Sequence, residues 1–208
     1  MQEFEAILFD FDGVLIDSEP VHCACWADVL KPLGVILEWK FYRDCCIGID
    51  DRDMLRTMAA QSDPPRNWED LWALYPVKKE LFRSRMIAAP PFAAGLAELL
   101  GRLQSHYRLA VVSSSSCSEI EPLMVAGGVR NFFETVVGGE SVKRHKPAPE
   151  PYLLAAERLG VTRALVVEDS EAGLASGRAA GFDVLAVREV AGMRDLVARR
   201  LGLGSAAA

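Results

Sequence analysis

Three short polar strings carry residue types suited to phosphoryl chemistry: Asp10-Phe11-Asp12-Gly13, Ser113-Ser114-Ser115-Ser116 and Glu168-Asp169-Ser170. Lys146-Pro147 lies between the second and the third. Carboxylates gathered at one place repel one another and require a cation. Oxygen ligands without a nearby histidine or thiolate suit Mg²⁺, which keeps several waters and is usually completed by substrate phosphate. An aspartate can take a phosphoryl group covalently and split one hard displacement into two easier ones. A lysine and hydroxyl donors can hold the equatorial phosphate oxygens. Asp12, two residues beyond Asp10, should face another way and suits proton transfer to a leaving oxygen and then from water. Taken singly the strings are bland. Asp-x-Asp-Gly is commonly a polar turn, serines cap helices, a lysine is a solvated charge, and an acidic pair suits a helix N-terminus.

Their placement changes that. Five apolar runs read as buried parallel strands: Ala6–Phe9, Leu109–Val112, Thr135–Val137, Ala164–Val167 and Val184–Val187. Each polar string directly follows one of them. Between the strands run amphipathic helices, with Leu96, Leu99, Leu100 and Leu103 on one face and Leu153, Ala156 and Leu159 on another. Gly34, Gly127, Gly160 and Gly181 are expected left-handed helix ends. The alternation predicts an α/β fold, a Rossmann-like parallel sheet with helices on both faces. In such sheets ligands bind beyond the carboxyl ends of the strands, where the strand order reverses.

One interval breaks the alternation. About a hundred residues separate the first two strands, far more than a crossover helix needs. Residues 17–88 hold all four tryptophans and four of the five cysteines, but only two of the sixteen glycines. We read them as an inserted α-helical cap domain, with 1–16 and 89–208 as the core. Asp17 or Ser18 should cap its first helix, with Pro20 in the first turn. Asp63-Pro64-Pro65 should break the cap internally, and the tail Gly204–Ala208 should fray.

DFDGVLIDS at 10–18, VVSSSS at 111–116, KPAPEPY at 146–152 and VVEDSEAG at 166–173 resemble the four ordered motifs of the haloacid dehalogenase superfamily. The likeness is greatest to its β-phosphoglucomutase and sugar-phosphate phosphatase branch, which has a small helical cap. The resemblance implies a phosphatase acting on a small phosphorylated, sugar-like metabolite. It implies Asp10 as nucleophile, Asp12 as general acid/base, and Ser113, Ser114 and Lys146 at the transferring phosphate. It also implies Mg²⁺ held by Asp10, the backbone carbonyl of Asp12, and Asp169, with Glu168 close by or ligating through water. The alternative is a phosphosugar mutase. Mutase relatives carry a basic residue where Ser116 stands here and an arginine where Asp51 stands, three residues after Gly48; Arg52 comes one later. Both departures favour hydrolysis, although Arg52, Lys143 or Arg144 could compensate. A histidine and a tryptophan at the places of His22 and Trp26 also occur near the cap hinge of mutase-like relatives; otherwise His22 is an ordinary partly buried histidine.

The whole-chain balance narrows the field. A net charge of -6 and a pI near 5.2 argue against nucleic acid or an anionic membrane as partner. The five cysteines show no zinc-type spacing; Cys23, Cys25, Cys45 and Cys46 read as packing residues and free thiols. The acidic N-terminus, which passes directly into a strand, does not look like an export signal, so a cytoplasmic location is expected.

Overall fold

β1 (Ala6–Phe9) is four apolar residues covered on both faces, which places it at the middle of a sheet. The computed structural model describes residues 3–47, 51–62 and 64–203. After β1 come α1 (Glu19–Leu30), α2 (Trp39–Cys45), α3 (Asp51–Gln61), α4 (Trp68–Trp72), α5 (Tyr75–Ala88) and α6 (Leu96–Leu103). Then follow β2 (Arg108–Val112), α7 (Cys117–Ala126), β3 (Thr135–Val137), α8 (Glu150–Leu159), β4 (Ala164–Glu168), α9 (Glu171–Ala179), β5 (Asp183–Ala186) and α10 (Val190–Arg200). The chain divides into two compact units, Met1–Asp17 with Ala89–Ala208, and Ser18–Ala88.

The first unit holds a parallel sheet of order β3-β2-β1-β4-β5. From β1 the chain runs outward through β2 and β3, then returns to the other side of β1 for β4 and β5. The strand order therefore reverses at β1, and a crevice at its carboxyl end is expected. Phe9 pairs with Val111 of β2 and with Val167 of β4, so the residues that follow all three strands emerge along one edge.

Side-chain alternation assigns the two faces. Ala6, Leu8, Ala110, Val112, Val137, Ala164 and Val166 pack with Tyr152, Ala155 and Leu159 of α8. On α6, Leu96, Leu99, Leu100 and Leu103 are all buried, as their spacing predicts. On α8 the buried face is Pro151, Tyr152, Ala155, Ala156 and Leu159, whereas Leu153 is 46% exposed. The helix is rotated so that Tyr152, not Leu153, enters the core. Gly160 and Gly181 take positive φ (63° and 81°) at helix ends, and Gly34 does so (72°) after a 3₁₀ turn. Gly127 does not; Gly128 takes the positive φ (69°) instead. At Gly127 the constraint is space, because a Cβ there would overlap the Phe92 ring.

The helical unit has its own core, built on Trp26, Leu30, Tyr42, Met54, Leu55, Met58 and Leu71. Helix α1 packs on α5, and α3 on α4. Ser18, one of the two residues expected there, takes the N-cap position of α1 without a side-chain cap hydrogen bond, and Pro20 occupies the first turn. Cys23, Cys25 and Cys46 are buried; Cys45 is exposed and is not a packing residue. All five thiols are free. Lys78 is buried at 2% exposure, 2.7 Å from His22 Nδ1 and 3.2 Å from Asp51 Oδ2. His22 stacks on Phe82 with ring centroids 3.8 Å apart, and Trp26 donates its indole N–H to Asp51 at 3.0 Å. Gly48, Asp63 and the tail Gly204–Ala208 lie outside the described residues. Among the described residues no helix is long and apolar enough to cross a membrane.

Candidate active site

Asp10 is the first residue past β1, where its backbone N–H still donates to Val167 of β4 at 2.9 Å. That bond extends the ladder by one residue and holds the carboxylate at the strand-order reversal, 7% exposed. Lys146 meets it there. Its Nζ lies 2.6 Å from Asp10 Oδ1, 2.6 Å from Glu168 Oε1 and 3.0 Å from the Val112 carbonyl. Three N–H groups and three acceptors saturate the ammonium.

Glu168, the last residue of β4, is fully buried. Oε1 accepts from Lys146 and from the Tyr152 hydroxyl, at 2.6 and 2.8 Å. Oε2 accepts from the Asp169 and Ser170 N–H groups and the Ser170 hydroxyl, at 3.0, 3.1 and 3.1 Å. Burial alone would raise this carboxyl, but the Lys146 ammonium and the neighbouring donors outweigh it and hold it below the ordinary range. Gly173, in the first turn of α9, makes room for it, since a Cβ there would overlap the carboxylate.

Negative charge exceeds positive at this edge. Asp10, Glu168 and Asp169 can each bring one oxygen within 4.8 Å of the other two. Burial pushes Asp10 up to about 8; Lys146 opposes the rise, while the charges of Glu168 and Asp12 add to it. Burial and the Glu168 charge push Asp169, at the rim, up to about 6. A further cation would relieve both, and an all-oxygen donor set suits a hard divalent ion. The residues therefore fit a metal. Asp10 and Asp169 are the better placed to ligate, because both Glu168 oxygens already accept several hydrogen bonds. Gly13 completes the cradle. Its φ of 75° turns the chain back beneath Asp169, where a Cβ would overlap that carboxylate.

Asp12 points elsewhere. Its Oδ2 accepts from the Ser115 hydroxyl at 3.1 Å, so the two aspartates serve different partners. Ser113, 4% exposed, directly follows β2, and its Oγ accepts the Ser115 N–H at 3.0 Å. That leaves the Ser113 hydroxyl proton for a ligand oxygen. Ser114 is exposed on the same loop and has no hydrogen bond to the carboxylate cluster among the described residues. Ser116 is the N-cap of α7, in a capping box with Glu119. The edge thus brings Asp10, Lys146, Glu168 and Asp169 together, with Asp12 and Ser113 on adjoining turns. Tyr152 and Ser115 had no assigned role in the sequence. For Tyr152 the available signal was its place six residues after Lys146, on a helix that covers the central strands.

Residues 7–187 match the family model of the haloacid dehalogenase-like hydrolases. The chain is 31% identical over 190 residues to the fructose-1-phosphate phosphatase of Escherichia coli, covering 90% of this chain and 98% of that protein. A phosphorylated carbohydrates phosphatase of Thermotoga maritima is 29% identical over 182 residues, covering 86% of this chain and 82% of its own. Among solved structures, CbbY from Rhodobacter sphaeroides in complex with phosphate is 28% identical, with a TM-score of 0.62 and coverage of 88% of this chain and 85% of that one.

Proposed function

The chain belongs to the haloacid dehalogenase-like hydrolase family, and from that premise we propose that it is a cytoplasmic, Mg²⁺-dependent phosphatase of small, sugar-like phosphate monoesters. The observation that carries this reading is Asp10 held between Lys146 and the Asp169 carboxylate at the strand-order reversal, with Asp12 two residues on and separately anchored. An Asp10 carboxylate oxygen attacks phosphorus as the bond to the leaving oxygen breaks, and Asp12 delivers its proton to that oxygen. Asp12, now a carboxylate, takes a proton from water as the water oxygen attacks the aspartyl phosphate. Inorganic phosphate leaves, and Asp10 and Asp12 return to their starting states. Ser113 and Ser114 hold the equatorial oxygens, and Lys146 joins them by exchanging one of its three present acceptors for a phosphate oxygen. Asp10, the Asp12 carbonyl and Asp169 would hold Mg²⁺, with Glu168 beside them or reaching it through water. When bound, the ion offsets the repulsion between carboxylate and phosphate dianion.

We read residues 1–16 and 89–208 as the phosphoryl-transfer core and 17–88 as the insertion that selects the substrate. Support for a sugar phosphate comes from the two named phosphatase relatives. Support for hydrolysis over isomerisation comes from the positions that would serve a second phosphate. Ser116 is neutral and committed to capping α7, and Asp51 is acidic and bound to Trp26 and Lys78. Arg144 is paired with Glu150 at 3.1 Å. The test supplies β-glucose 1-phosphate, Mg²⁺ and a trace of the 1,6-bisphosphate, following inorganic phosphate and glucose 6-phosphate together, beside a panel of sugar phosphates. Phosphate release across the panel is expected. Rapid glucose 6-phosphate formation with little free phosphate would establish the mutase instead.

A further inference from the structure

We propose that Tyr152 is a positioning residue for Lys146: its hydroxyl keeps Glu168 supplied with a donor, so that the lysine can turn one N–H from Glu168 to a phosphate oxygen. The proposal rests on the reading of Lys146 as a phosphate ligand above.

Lys146 already has an acceptor for each of its N–H groups, so binding phosphate means leaving one of them. The three differ in what is left behind. The Val112 carbonyl lies one residue past the end of the β1–β2 ladder, and without Lys146 a buried acceptor would stand unpaired. Asp10 accepts from no other side chain among the described residues, and its charge is the one the ammonium must offset beside a phosphate. Glu168 is different. Its Oε1 also accepts from the Tyr152 hydroxyl at 2.8 Å, and its Oε2 accepts from three donors of Asp169 and Ser170. Release of Lys146 therefore leaves neither oxygen of Glu168 without a donor.

Tyr152 meets the pair with both of its parts. It is fully buried on α8, with its hydroxyl on Glu168 and its ring centroid 5.1 Å from Lys146 Nζ. A ring face attracts a cation without fixing the direction of any one N–H, so this contact allows the ammonium to turn. The backbone beside Lys146 is pinned. The Ala148 N–H donates to the His145 carbonyl at 2.8 Å, and the Ala148 carbonyl accepts from the buried Ser176 hydroxyl at 2.6 Å. The exchange is thus a side-chain movement. One N–H bond to Oε1 is replaced by one N–H bond to phosphate, the Tyr152 bond is kept, and no proton changes owner.

Tyr152→Phe keeps the ring and removes the donor. Oε1 then depends on Lys146, and turning the lysine to phosphate would leave that oxygen bare. The test is isothermal titration of the whole chain with inorganic phosphate in saturating Mg²⁺, and separately with Mg²⁺ alone. Wild type, Tyr152→Phe and Lys146→Met would be compared. Tyr152→Phe should bind phosphate about tenfold more weakly, the worth of one hydrogen bond to a charged group, and Mg²⁺ within about twofold of wild type. A tyrosine that only supports the fold would disturb the carboxylates and weaken both ligands together. That result, or failure of Tyr152→Phe to fold, would overturn the proposal. Unchanged phosphate affinity in Tyr152→Phe, with affinity lost in Lys146→Met, would overturn the role of Tyr152 and leave Lys146 on the phosphate. Wild-type phosphate affinity in Lys146→Met would instead remove the lysine from the phosphate site, and this proposal with it.

Discussion

Lys146 Nζ stands 2.6 Å from Asp10 Oδ1 and equally 2.6 Å from Glu168 Oε1, with its side chain 6% exposed and that of Glu168 wholly buried. One ammonium therefore serves a reacting carboxylate and a structural one at once. Removing it strands the Glu168 charge, because breaking a buried pair costs more than the pair contributes. Lys146→Met should lower unfolding free energy by about 3 kcal/mol in urea titrations. Adding Glu168→Gln should recover at least half of that loss, while neither variant should turn over substrate at a useful rate. If the double variant were no more stable than the single, Glu168 would not be the stranded charge.

Glu168 also sets a steric demand. It is anchored by donors on both oxygens and cannot move aside for a Cβ at Gly173. Gly173→Ala should therefore cost about 1–3 kcal/mol by overpacking and reduce kcat through displaced Lys146. Gly192, in α10, has open space around its Cβ position. Gly192→Ala should be neutral or stabilising by up to about 1 kcal/mol. Thermal midpoints of the two variants measured side by side check this, and equal effects would contradict the packing argument.

Much of this was legible from sequence, and the remainder has a physical cause. Apolar runs bounded by polar residues located all five strands; β5 begins one residue earlier than expected, because Asp183 still pairs with Leu165 at the sheet edge. The ends of β1, β2 and β4 carry Asp10, Ser113 and Glu168 because a parallel sheet brings strand ends to one edge. The rotation of α8, which buries Tyr152 and exposes Leu153, was not legible. Two adjacent apolar residues on a helix compete for the core, and the periodicity of so short a helix does not choose between them. The bond of Ser115 to Asp12 joins elements far apart in sequence, and only their packing creates it. Cys45 and Cys46 differ in burial for a similar reason, since they end a short helix where only one of two neighbours can face inward.

Within the helical unit, burial depresses His22 to about 4, with the Lys78 charge adding to this and Asp51 opposing. An unfolded chain carries this histidine at its ordinary value near 6.5. Between those values the unfolded state binds more protons, so stability from neutral His22 is complete above about 6.5 and is lost as pH falls toward about 4. His22→Gln keeps an acceptor for Lys78 and cannot titrate. Urea midpoints of wild type should therefore fall more steeply than those of His22→Gln between neutrality and pH about 4.5. Parallel curves would show that His22 is not held neutral by the fold.

Chelation should stop turnover without unfolding the protein, because the carboxylates sit on a sheet edge that folds independently of them. Added Mg²⁺ should restore activity in wild type and not in Asp169→Ala. Isothermal titration should show Mg²⁺ binding lost in the same variant. Full activity in excess chelator would take the metal out of the mechanism.

The central claim is that Asp10 carries the phosphoryl group, and acid-quenched labelling tests it most directly. Wild type mixed with a ³²P-labelled sugar phosphate and quenched in acid within the first turnover should retain acid-stable, base-labile label on the peptide containing Asp10. Asp10→Asn should retain none, and its turnover should fall by several orders of magnitude, since residues acting as one unit fail together. An unlabelled wild-type peptide, together with Asp10→Asn turnover above about a tenth of wild type, would contradict the account.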